Sequence, residues 1–479
     1  MVQRWAQAGG YKEVLKISGP MILSMGSWSL MHFVDRMFLT WYSREALAAA
    51  LPAGLLSFAF GSFFLGTASY VNTFVAQYFG AKRFDRVGSA VWQGIYFSLF
   101  AGVLMVLLAP ASEWIFNLVG HEKNIRDQEI IYFEILTAWL WPVFLMAGLS
   151  AFFSGRGDTW TVLWVNVIAA VINIVLDYVW IFGYWGFPEK GIEGAAWATV
   201  VSQVFGCVAF MVLIFQKPYR EQFYTLKGWR LDRVLLLRLW RYGAPSGLHF
   251  MIDILGFSMF VLLVGRLGAV ELAATNLTFN INTLAFLPML GLGIAVSTLV
   301  GQYLGDNQVE LAEKCTYSAL HLSLGYMLFM VLGYGLLPDV FMQPFASHSD
   351  PSTFQPVRDL AVVLLRFVAF YCLFDAAFIV FSSAVKGAGD TQFVMWMTLI
   401  LSTAILVVPT YLAVAVFDWG IYATWFFISA YIAVMAIAFY FRFRSGKWKS
   451  MRVIEQEGIS LIEGREAAQM QVREHTDVI

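Results

Sequence analysis

Charged residues are scarce in this chain, where they make up 13% of 479 residues. The formal net charge is −1, which argues against nucleic acid as a partner, because such a partner requires a basic excess. Cysteine is scarce too: Cys207, Cys315 and Cys372 lie in apolar segments without disulfide or metal-ligand spacing, so we assign them to packing. No HExxH or GxSxG pattern lies on an apolar segment, and we therefore expect neither an enzyme nor a cofactor.

Apolar residues dominate the composition instead. They account for 59% of the chain, and the mean hydropathy is +0.68, values that indicate a polytopic helical membrane protein. The first apolar segment is long and interrupted by His32, Asp35 and Arg36, so we do not interpret it as a cleavable signal peptide. We predict an all-α fold with twelve transmembrane helices, near residues 14–41, 46–78, 88–110, 129–153, 160–183, 191–215, 237–265, 271–304, 311–337, 359–385, 392–416 and 420–442.

The distribution of basic residues predicts the orientation of these spans. The connector after span six is rich in lysine and arginine, whereas the next loop carries only Arg266. The positive-inside rule therefore places the connector and both termini in the cytoplasm, with the protein in the cytoplasmic membrane. We divide the chain into a cytoplasmic N-terminus (1–13), an N-terminal six-helix lobe (14–215), a basic cytoplasmic connector (216–236), a C-terminal six-helix lobe (237–442) and a cytoplasmic tail (443–479). The tail is polar from Ser445 onward, and we expect it to be partly disordered or to lie on the surface.

Two motifs occur twice and divide the spans into halves. The segment Thr73–Gly80, TFVAQYFG, recurs as Thr298–Gly305, TLVGQYLG, and Gly155–Thr159, GRGDT, recurs as Gly387–Thr391, GAGDT. Six spans per half in the same direction form a parallel repeat, which predicts two pseudo-symmetric six-helix lobes around a central cleft, as in many secondary transporters. In the second motif we assign the glycines to a tight turn and the Asp and Thr to capping of the next helix.

Span five combines membrane length with polar residues. In VLWVNVIAAVINIVLDYVWIFG, residues 162–183, Asn166, Asn173 and Asp177 fall on one helical face. An aspartate near the centre of a membrane helix costs about 2.5–3.5 kcal/mol on insertion scales, so we expect this face to meet protein or a water-filled cavity. A hydrogen bond that packs two helices together is sufficient to explain Asn166. For Asn173 and Asp177 we favour a functional site.

Residue counting places two further polar side chains at the depth of Asp177. Asp35 lies near the outer end of span one and Thr199 near the outer start of span six, so all three sit roughly 9–12 Å below the outer edge at 1.5 Å per residue. Their oxygens suit a small hard cation, and two close carboxylates can also hold a proton. His32, one turn before Asp35, either shares that proton or packs against a neighbouring helix, and we treat it as accessory.

The C-terminal lobe carries acids of its own. Asp253 in span seven and Asp375 in span ten lie near the bilayer midplane by residue counting, which predicts a second acidic site. Span eight adds Asn276 and Asn280 beside aromatic residues, as accessory residues of a soft, aromatic cleft. In span one, Pro20 removes a backbone hydrogen bond, and we expect it to act as a hinge.

The two QYxG segments, the NIVLD run at residues 173–177, the AAWAT run at residues 195–199 and Pro20 before Asp35 carry a family resemblance. The chain resembles the multidrug and toxic compound extrusion (MATE) family, nearer its NorM/DinF-like bacterial or archaeal members than its eukaryotic ones. The resemblance extends from about residue 14 to residue 442 and omits only the ends of the chain.

The resemblance implies roles for particular residues. The positions of Asp35, Asn173, Asp177 and Thr199 match a cation or proton site of the family's N-terminal lobe. Those of Asp253 and Asp375 match acidic positions of NorM-type members. Two departures are Arg36, where many relatives have a small or hydroxylated residue, and Asp253, where a glutamate is more usual.

The function implied is secondary-active antiport that exports amphipathic or cationic organic compounds in exchange for protons or sodium ions. Sodium would bind at Asp35, Asn173 and Asp177. We favour protons, because Arg36 and His32 add donors and positive charge beside Asp35. The alternative is a flippase for a lipid-linked precursor, which would require a strongly basic cavity, whereas the midplane charges of this chain are chiefly acidic. We expect a monomer in the lipid bilayer.

Overall fold

Regular secondary structure is entirely helical in the residues that the computed structural model describes, 2–346 and 351–455. This confirms the predicted all-α class. Twelve long helices follow one another along the chain: α1 (Tyr11–Tyr42), α2 (Arg44–Gly80), α3 (Phe84–Val119), α4 (Lys123–Ser154), α5 (Thr159–Phe182), α6 (Ile192–Ile214), α7 (Arg233–Val264), α8 (Ala269–Gly305), α9 (Val309–Leu336), α10 (Pro351–Ala388), α11 (Thr391–Ala415) and α12 (Gly420–Arg444).

Eleven of these helices contain a stretch long and apolar enough to cross a membrane. The exception is α1, whose serine, glycine and charged residues lower its hydropathy. It packs along α5 of its own half and α8 of the other, so it belongs to the same bundle. Pro20 lies buried inside α1, and the helix continues past it.

Several helices are longer than the spans predicted from hydropathy. The span placed at 88–110 belongs to a helix that runs from Phe84 to Val119, and the span placed at 359–385 to one that runs from Pro351 to Ala388. Apolar residues mark only the part of a helix suited to lipid, whereas backbone hydrogen bonding continues into the polar ends.

A π-helical stretch at Ser402–Val407 in α11 was not predicted, because a single extra residue in a turn leaves no mark on hydropathy.

The helices form two packed groups. Helices α1 to α6 are joined through α1 with α5, α5 with α6 and α2 with α4, and helices α7 to α12 through α8 with α10, α10 with α12 and α7 with α11. The two groups meet where α2 packs on α7 and where α8 packs on α1 and on the last turns of α2. The two lobes are thus joined through α1, α2, α7 and α8.

Both termini of the described chain and the connector lie at one end of the bundle, which we call the connector end; the other is the far end. The connector is partly helical there, at Lys217–Gln222 and Lys227–Trp229. The tail was predicted to be partly disordered or surface-lying, and for three of its first residues this is wrong. Trp448, Val453 and Ile454 are buried, because their apolar side chains pack against the lobes. Residues 456–479 lie outside the described part of the chain.

The GxGDT turns contain the tight bend that was predicted, with Gly157 at φ +83° and Gly389 at φ +111°. The predicted capping by their aspartates is wrong. Asp158 and Asp390 occupy the N-cap positions of α5 and α11, but neither side chain caps its helix. Asp158 accepts a hydrogen bond from Thr161 Oγ1 at 2.9 Å. Asp390 accepts one from Arg442 Nε at 2.6 Å, and a charged donor is a stronger partner than a peptide N–H.

The lobes also approach closely where α2 meets α7. A Cβ atom added at Gly66 would lie 2.8 Å from Gly247 Cα, and one added at Gly247 would collide with the carbonyl oxygen of Phe63. The backbones touch here because neither residue has a side chain. Small residues permit such contact in membrane helices, where dispersion rather than the hydrophobic effect holds helices together.

We expect Gly247→Ala to destabilise the protein by about 1–3 kcal/mol, the usual cost of overpacking. The added methyl group must push α2 away from α7. The measurement is the thermal unfolding temperature of purified protein in detergent. Gly325→Ala in α9 is the matched control, because a Cβ there meets nothing within 4 Å. Equal unfolding temperatures for the two variants would contradict the proposed contact.

Candidate functional site

Three helices bring the predicted residues of the N-terminal lobe together. Asp35 lies on α1, Asn173 and Asp177 on α5, and Thr199 on α6, and both α1 and α6 pack against α5. Asp177 is fully buried, Asn173 is 1% exposed and Asp35 is 7% exposed. Two carboxyl groups and an amide are therefore removed from water within one six-helix lobe.

Asn173 connects α5 to α6 through its amide group. In the orientation that satisfies both ends of the amide, Nδ2 donates to Asp177 Oδ2 at 3.1 Å and Oδ1 accepts from the Thr199 backbone N–H at 3.2 Å. The opposite orientation would set the amide oxygen against the carboxylate and keep only a 3.5 Å contact from Nδ2 to Thr199 Oγ1. Asparagine and threonine thus hold the Asp177 side chain in place.

Each acid of this site keeps one oxygen without a partner. Asp35 Oδ1 and Asp177 Oδ1 are buried and accept no hydrogen bond from the residues described. The two carboxyl groups are close enough for the charge of Asp35 to act on Asp177. Two buried like charges repel strongly, so such a pair is suited to hold a proton or a cation.

Sequence reasoning missed Tyr132 as a neighbour of this site. Its side chain comes from α4, is 6% exposed, and is in electrostatic range of both Asp35 and Asp177. Only the folding of α4 against α2 and α6 brings it there. A tyrosine near the end of a span is common at membrane interfaces, and no feature of the sequence distinguishes this one.

The other polar residues of α1 and α5 have separate positions. The His32 ring packs edge-on against Trp28, with centroids 4.5 Å apart, and Arg36 is exposed. Asn166 donates to Ser24 Oγ at 2.6 Å, a bond between α5 and α1. That bond is the helix-packing role that the sequence suggested for Asn166.

The C-terminal lobe contains a second acidic cluster. The Asp253 side chain on α7 is 33% exposed and lies 3.3 Å from His249 Nε2, and Asp375 on α10 is 6% exposed. The charge of Asp253 acts on Asp375, and that of Lys386 acts on both Asp253 and His249. Lys386 was not predicted, because hydropathy ended span ten one residue before it, whereas α10 continues to Ala388.

The accessory asparagines of α8 lie on an exposed face of that helix. Asn276 and Asn280 are both exposed, on the same helical face as the exposed Thr283. Polar side chains on a membrane helix face a water-filled space or protein rather than lipid. Asn282, on the neighbouring face, instead donates to Tyr371 Oη at 3.3 Å within the lobe.

Neither cluster has the composition of a transition-metal site. Among the described residues, no group of three or more His, Cys, Asp or Glu side chains could hold such an ion. Carboxylate and hydroxyl oxygens at Asp35, Asp177 and Thr199 suit only a proton or a hard cation.

Known proteins are similar to this chain in sequence and in fold. The family model MatE matches residues 20–179 and 245–412, in both lobes. The chain is 27% identical over 454 residues to the probable multidrug resistance protein NorM of Thermotoga maritima, covering 94% of this chain and 95% of that protein. It is 28% identical over 390 residues to that of Brucella suis, covering 80% and 82%. The solved outward-facing structure of a multidrug resistance MATE family transporter superposes with a TM-score of 0.83 at 21% identity, covering 92% of this chain and 97% of that one.

A bundle of two repeated helical lobes, each with an acidic cluster on its membrane helices, is the architecture of a polytopic membrane transporter. The superposition confirms the predicted fold of twelve spans around a central cleft. The chain belongs to the MatE family, and the resemblance seen in its repeated segments is confirmed.

We expect Asn173→Ala to lower the free energy of unfolding by about 1–3 kcal/mol, because it leaves a buried carboxylate oxygen without its donor. The thermal unfolding temperature of purified protein measures the change. Asn276→Ala is the control, since that asparagine is exposed on another membrane helix. A normal unfolding temperature for Asn173→Ala would show that its amide bonds do not stabilise the lobe.

Proposed function

We propose that the protein is a secondary-active antiporter that exports amphipathic or cationic organic compounds in exchange for protons. The observation that carries this proposal is the pair of buried carboxyl groups in the N-terminal lobe, Asp35 and Asp177, each with an oxygen that no described residue satisfies. A second acidic cluster in the other lobe suits a cationic substrate. The names of the NorM relatives support the same class of substrate.

The surfaces between the lobes support an amphipathic substrate. Phe58 on α2 and Phe250 on α7 meet edge to face with centroids 6.2 Å apart, and Trp28 on α1 lies 6.5 Å from Phe58. On α8, Asn276 and Asn280 present an exposed polar face. Aromatic rings attract organic cations by about 0.5–2 kcal/mol each, and amides can accept or donate hydrogen bonds.

Protons are favoured over sodium by the orientation of Asn173. Sodium needs several free oxygens, but the amide oxygen of Asn173 accepts from the Thr199 backbone and its nitrogen points at Asp177. The amide is therefore not available to a sodium ion, which would have only the carboxylate oxygens of Asp35 and Asp177 and the Thr199 hydroxyl as ligands from this group of residues. Two carboxyl groups in one buried site can share a proton without any further ligand.

Helix α1 links this site to the interface between the lobes. It carries Asp35, it packs on α5 beside Asp177, and its other side packs on α8 of the opposite lobe. Protonation removes the repulsion between the acids and so changes how α1 fits against α5. Pro20, which lacks a backbone N–H, is the proposed flexible point. A proton drives transport in this scheme because its affinity differs between two arrangements of the lobes.

We propose that the connector end faces the cytoplasm, since the basic connector and the basic residues after α12 lie there. The flippase alternative is less well supported. It would require a strongly basic cavity, whereas the intramembrane charges discussed above are four acids, Asp35, Asp177, Asp253 and Asp375, against two basic residues, Arg36 and Lys386.

Cells that express the protein should accumulate less ethidium than cells that express Asp375→Asn, because a buried carboxylate in the C-terminal lobe stabilises an organic cation. We expect the difference in steady-state fluorescence to be lost almost entirely in the variant. Membrane levels and unfolding temperature of the variant serve as controls for folding. Equal accumulation with and without the wild-type protein, across a panel of lipophilic cations, would contradict the proposed substrate class.

Reconstituted vesicles test the coupling ion. A pH gradient should drive export by the wild-type protein, and Asp35→Asn or Asp177→Asn should reduce the gradient-driven rate at least about tenfold, equivalent to about 1.4 kcal/mol. Asp158→Asn is the matched control, because this aspartate of the same lobe lies at the connector end, where it accepts a hydrogen bond from Thr161. Export driven by sodium without pH dependence would refute protons, and unimpaired export in both site variants would refute the site.

A further inference from the structure

The repeated QYxG segments make equivalent bonds across the two lobes. Gln77 on α2 donates from Nε2 to the carbonyl oxygen of Gly387 at 3.0 Å, and Gln302 on α8 donates to that of Gly155 at 2.8 Å. The two glutamines occupy the same position of the repeat, and so do the two glycines, which begin the GxGDT turns. The same hydrogen bond therefore forms twice between the lobes. The N-terminal lobe supplies the donor in one bond, and the C-terminal lobe supplies it in the other.

The tyrosines that follow these glutamines show the same reciprocity. Tyr78 Oη donates to Glu455 Oε2 at 2.8 Å, and Tyr303 Oη donates to Glu13 Oε2 at 2.6 Å. Glu455 follows the last helix of the C-terminal lobe, whereas Glu13 lies in the first turn of α1. Each tyrosine thus binds a carboxylate that the opposite half of the chain supplies.

Residues Met451–Glu455, which we call the C-terminal strap, connect the lobes at the connector end. Just before them, Trp448 stacks on Phe443 at 4.8 Å in the core of the C-terminal lobe. The strap then crosses to the other lobe, where the Val453 N–H donates to Gln77 Oε1 at 2.8 Å and Ile454 is buried.

Glu455 ends the C-terminal strap in a cluster of basic residues. Its carboxylate lies 3.3 Å from guanidinium nitrogens of both Arg83 and Arg86, and 3.9 Å from Arg238 Nε. Burial would raise the pKa of Glu455, but the hydrogen bond from Tyr78 and the charge of Arg86 help to lower it below its ordinary value. The carboxylate is therefore ionised at neutral pH, and its charge-assisted bonds persist there.

Residues 4–13, the N-terminal strap, make the converse connection. The Gly9 N–H donates to Tyr303 Oη at 3.0 Å, Ser318 Oγ donates to the Gly9 carbonyl at 2.8 Å, and Lys314 Nζ donates to Gln7 Oε1 at 2.8 Å. All three partners lie on α8 or α9. The chain that leads into the N-terminal lobe is thus held by the C-terminal lobe.

We propose that the two QYxG segments and the two terminal straps form a reciprocal lock that keeps the connector end closed, and that the straps set the balance between closed and open forms. Separation of α2 from α8 at this end must break the glutamine bonds and draw each strap away from one of its two anchors. A strap is in effect a tethered ligand of the opposite lobe, present at high effective concentration. It binds only the closed form, so it shifts the equilibrium toward closure.

Hydrogen–deuterium exchange of the full-length protein in lipid nanodiscs tests the lock. We expect Glu455→Gln and Glu13→Gln each to raise exchange in peptides spanning 73–80 and 298–305, because either change weakens one of the two Tyr–Glu pairs. Glu313→Gln is the matched control. It removes an ion pair to Lys449, 2.5 Å long and at the same end, that lies within the C-terminal lobe alone.

Termination of the chain after Ser450 is a second variant, which removes the C-terminal strap entirely and keeps Trp448. It should raise exchange in both peptides by more than Glu455→Gln does, while the core of α10 keeps its protection. Exchange in these peptides that equals wild type in the truncated protein would overturn the proposal. So would an increase spread evenly over all helices, since that would show general loosening rather than opening at one end. Neither outcome depends on the coupling ion or the substrate.

Discussion

A carboxyl group buried among membrane helices must be paired, hydrogen-bonded or protonated, and the organisation of both lobes depends on how this requirement is met. Asp177 has no exposed surface, and among the described residues Asn173 supplies a hydrogen bond to its side chain. Asn173 can do so only because α6 packs on α5 and offers the Thr199 backbone to the far side of the amide. The helix packing of the N-terminal lobe is therefore also what leaves two carboxyl oxygens free.

The internal repeat relates the helices of the two lobes but not their acids. In the register of the QYxG segments, Phe260 occupies the position equivalent to Asp35, and in that of the GxGDT turns Pro409 is equivalent to Asp177. The bonds at the connector end follow the repeat closely, as Gln77 and Gln302 show. The two lobes thus have similar helix arrangements but chemically different sites. In the N-terminal lobe the amide of Asn173 accompanies the acids, and in the C-terminal lobe His249 and Lys386 do.

Much of this arrangement could be predicted from the sequence, because polar residues are rare in membrane spans. The depth of Asp35, Asp177 and Thr199 followed from counting along helices of known rise. The amide orientation of Asn173 could not be predicted, since it depends on the backbone of α6. Tyr132 was not predicted, because only the packing of α4 against its neighbouring helices brings its side chain near the two acids.

The errors have equally physical causes. The tail was predicted from its polarity, but a short apolar pair such as Val453 and Ile454 produces no periodic pattern, and its partner Gln77 lies far away in sequence. The aspartate of the second GxGDT turn was expected to cap α11. It instead pairs with Arg442, because a charged guanidinium is a stronger donor than a peptide N–H.

In the alternating scheme proposed above, the contact of Gly66 with Gly247 is a point about which the lobes can rotate. Gly66 lies 22 residues from the start of α2 and 14 from its end, so the far-end arm is about 33 Å long and the connector-end arm about 21 Å at 1.5 Å per residue. Rotation of the lobes about this point moves the two mouths of the cleft in opposite directions, with the larger displacement at the far end. Gln77 lies 11 residues from Gly66, or about 17 Å, so a small separation of α2 from α8 at Gln77 corresponds to a displacement about twice as large at the far end.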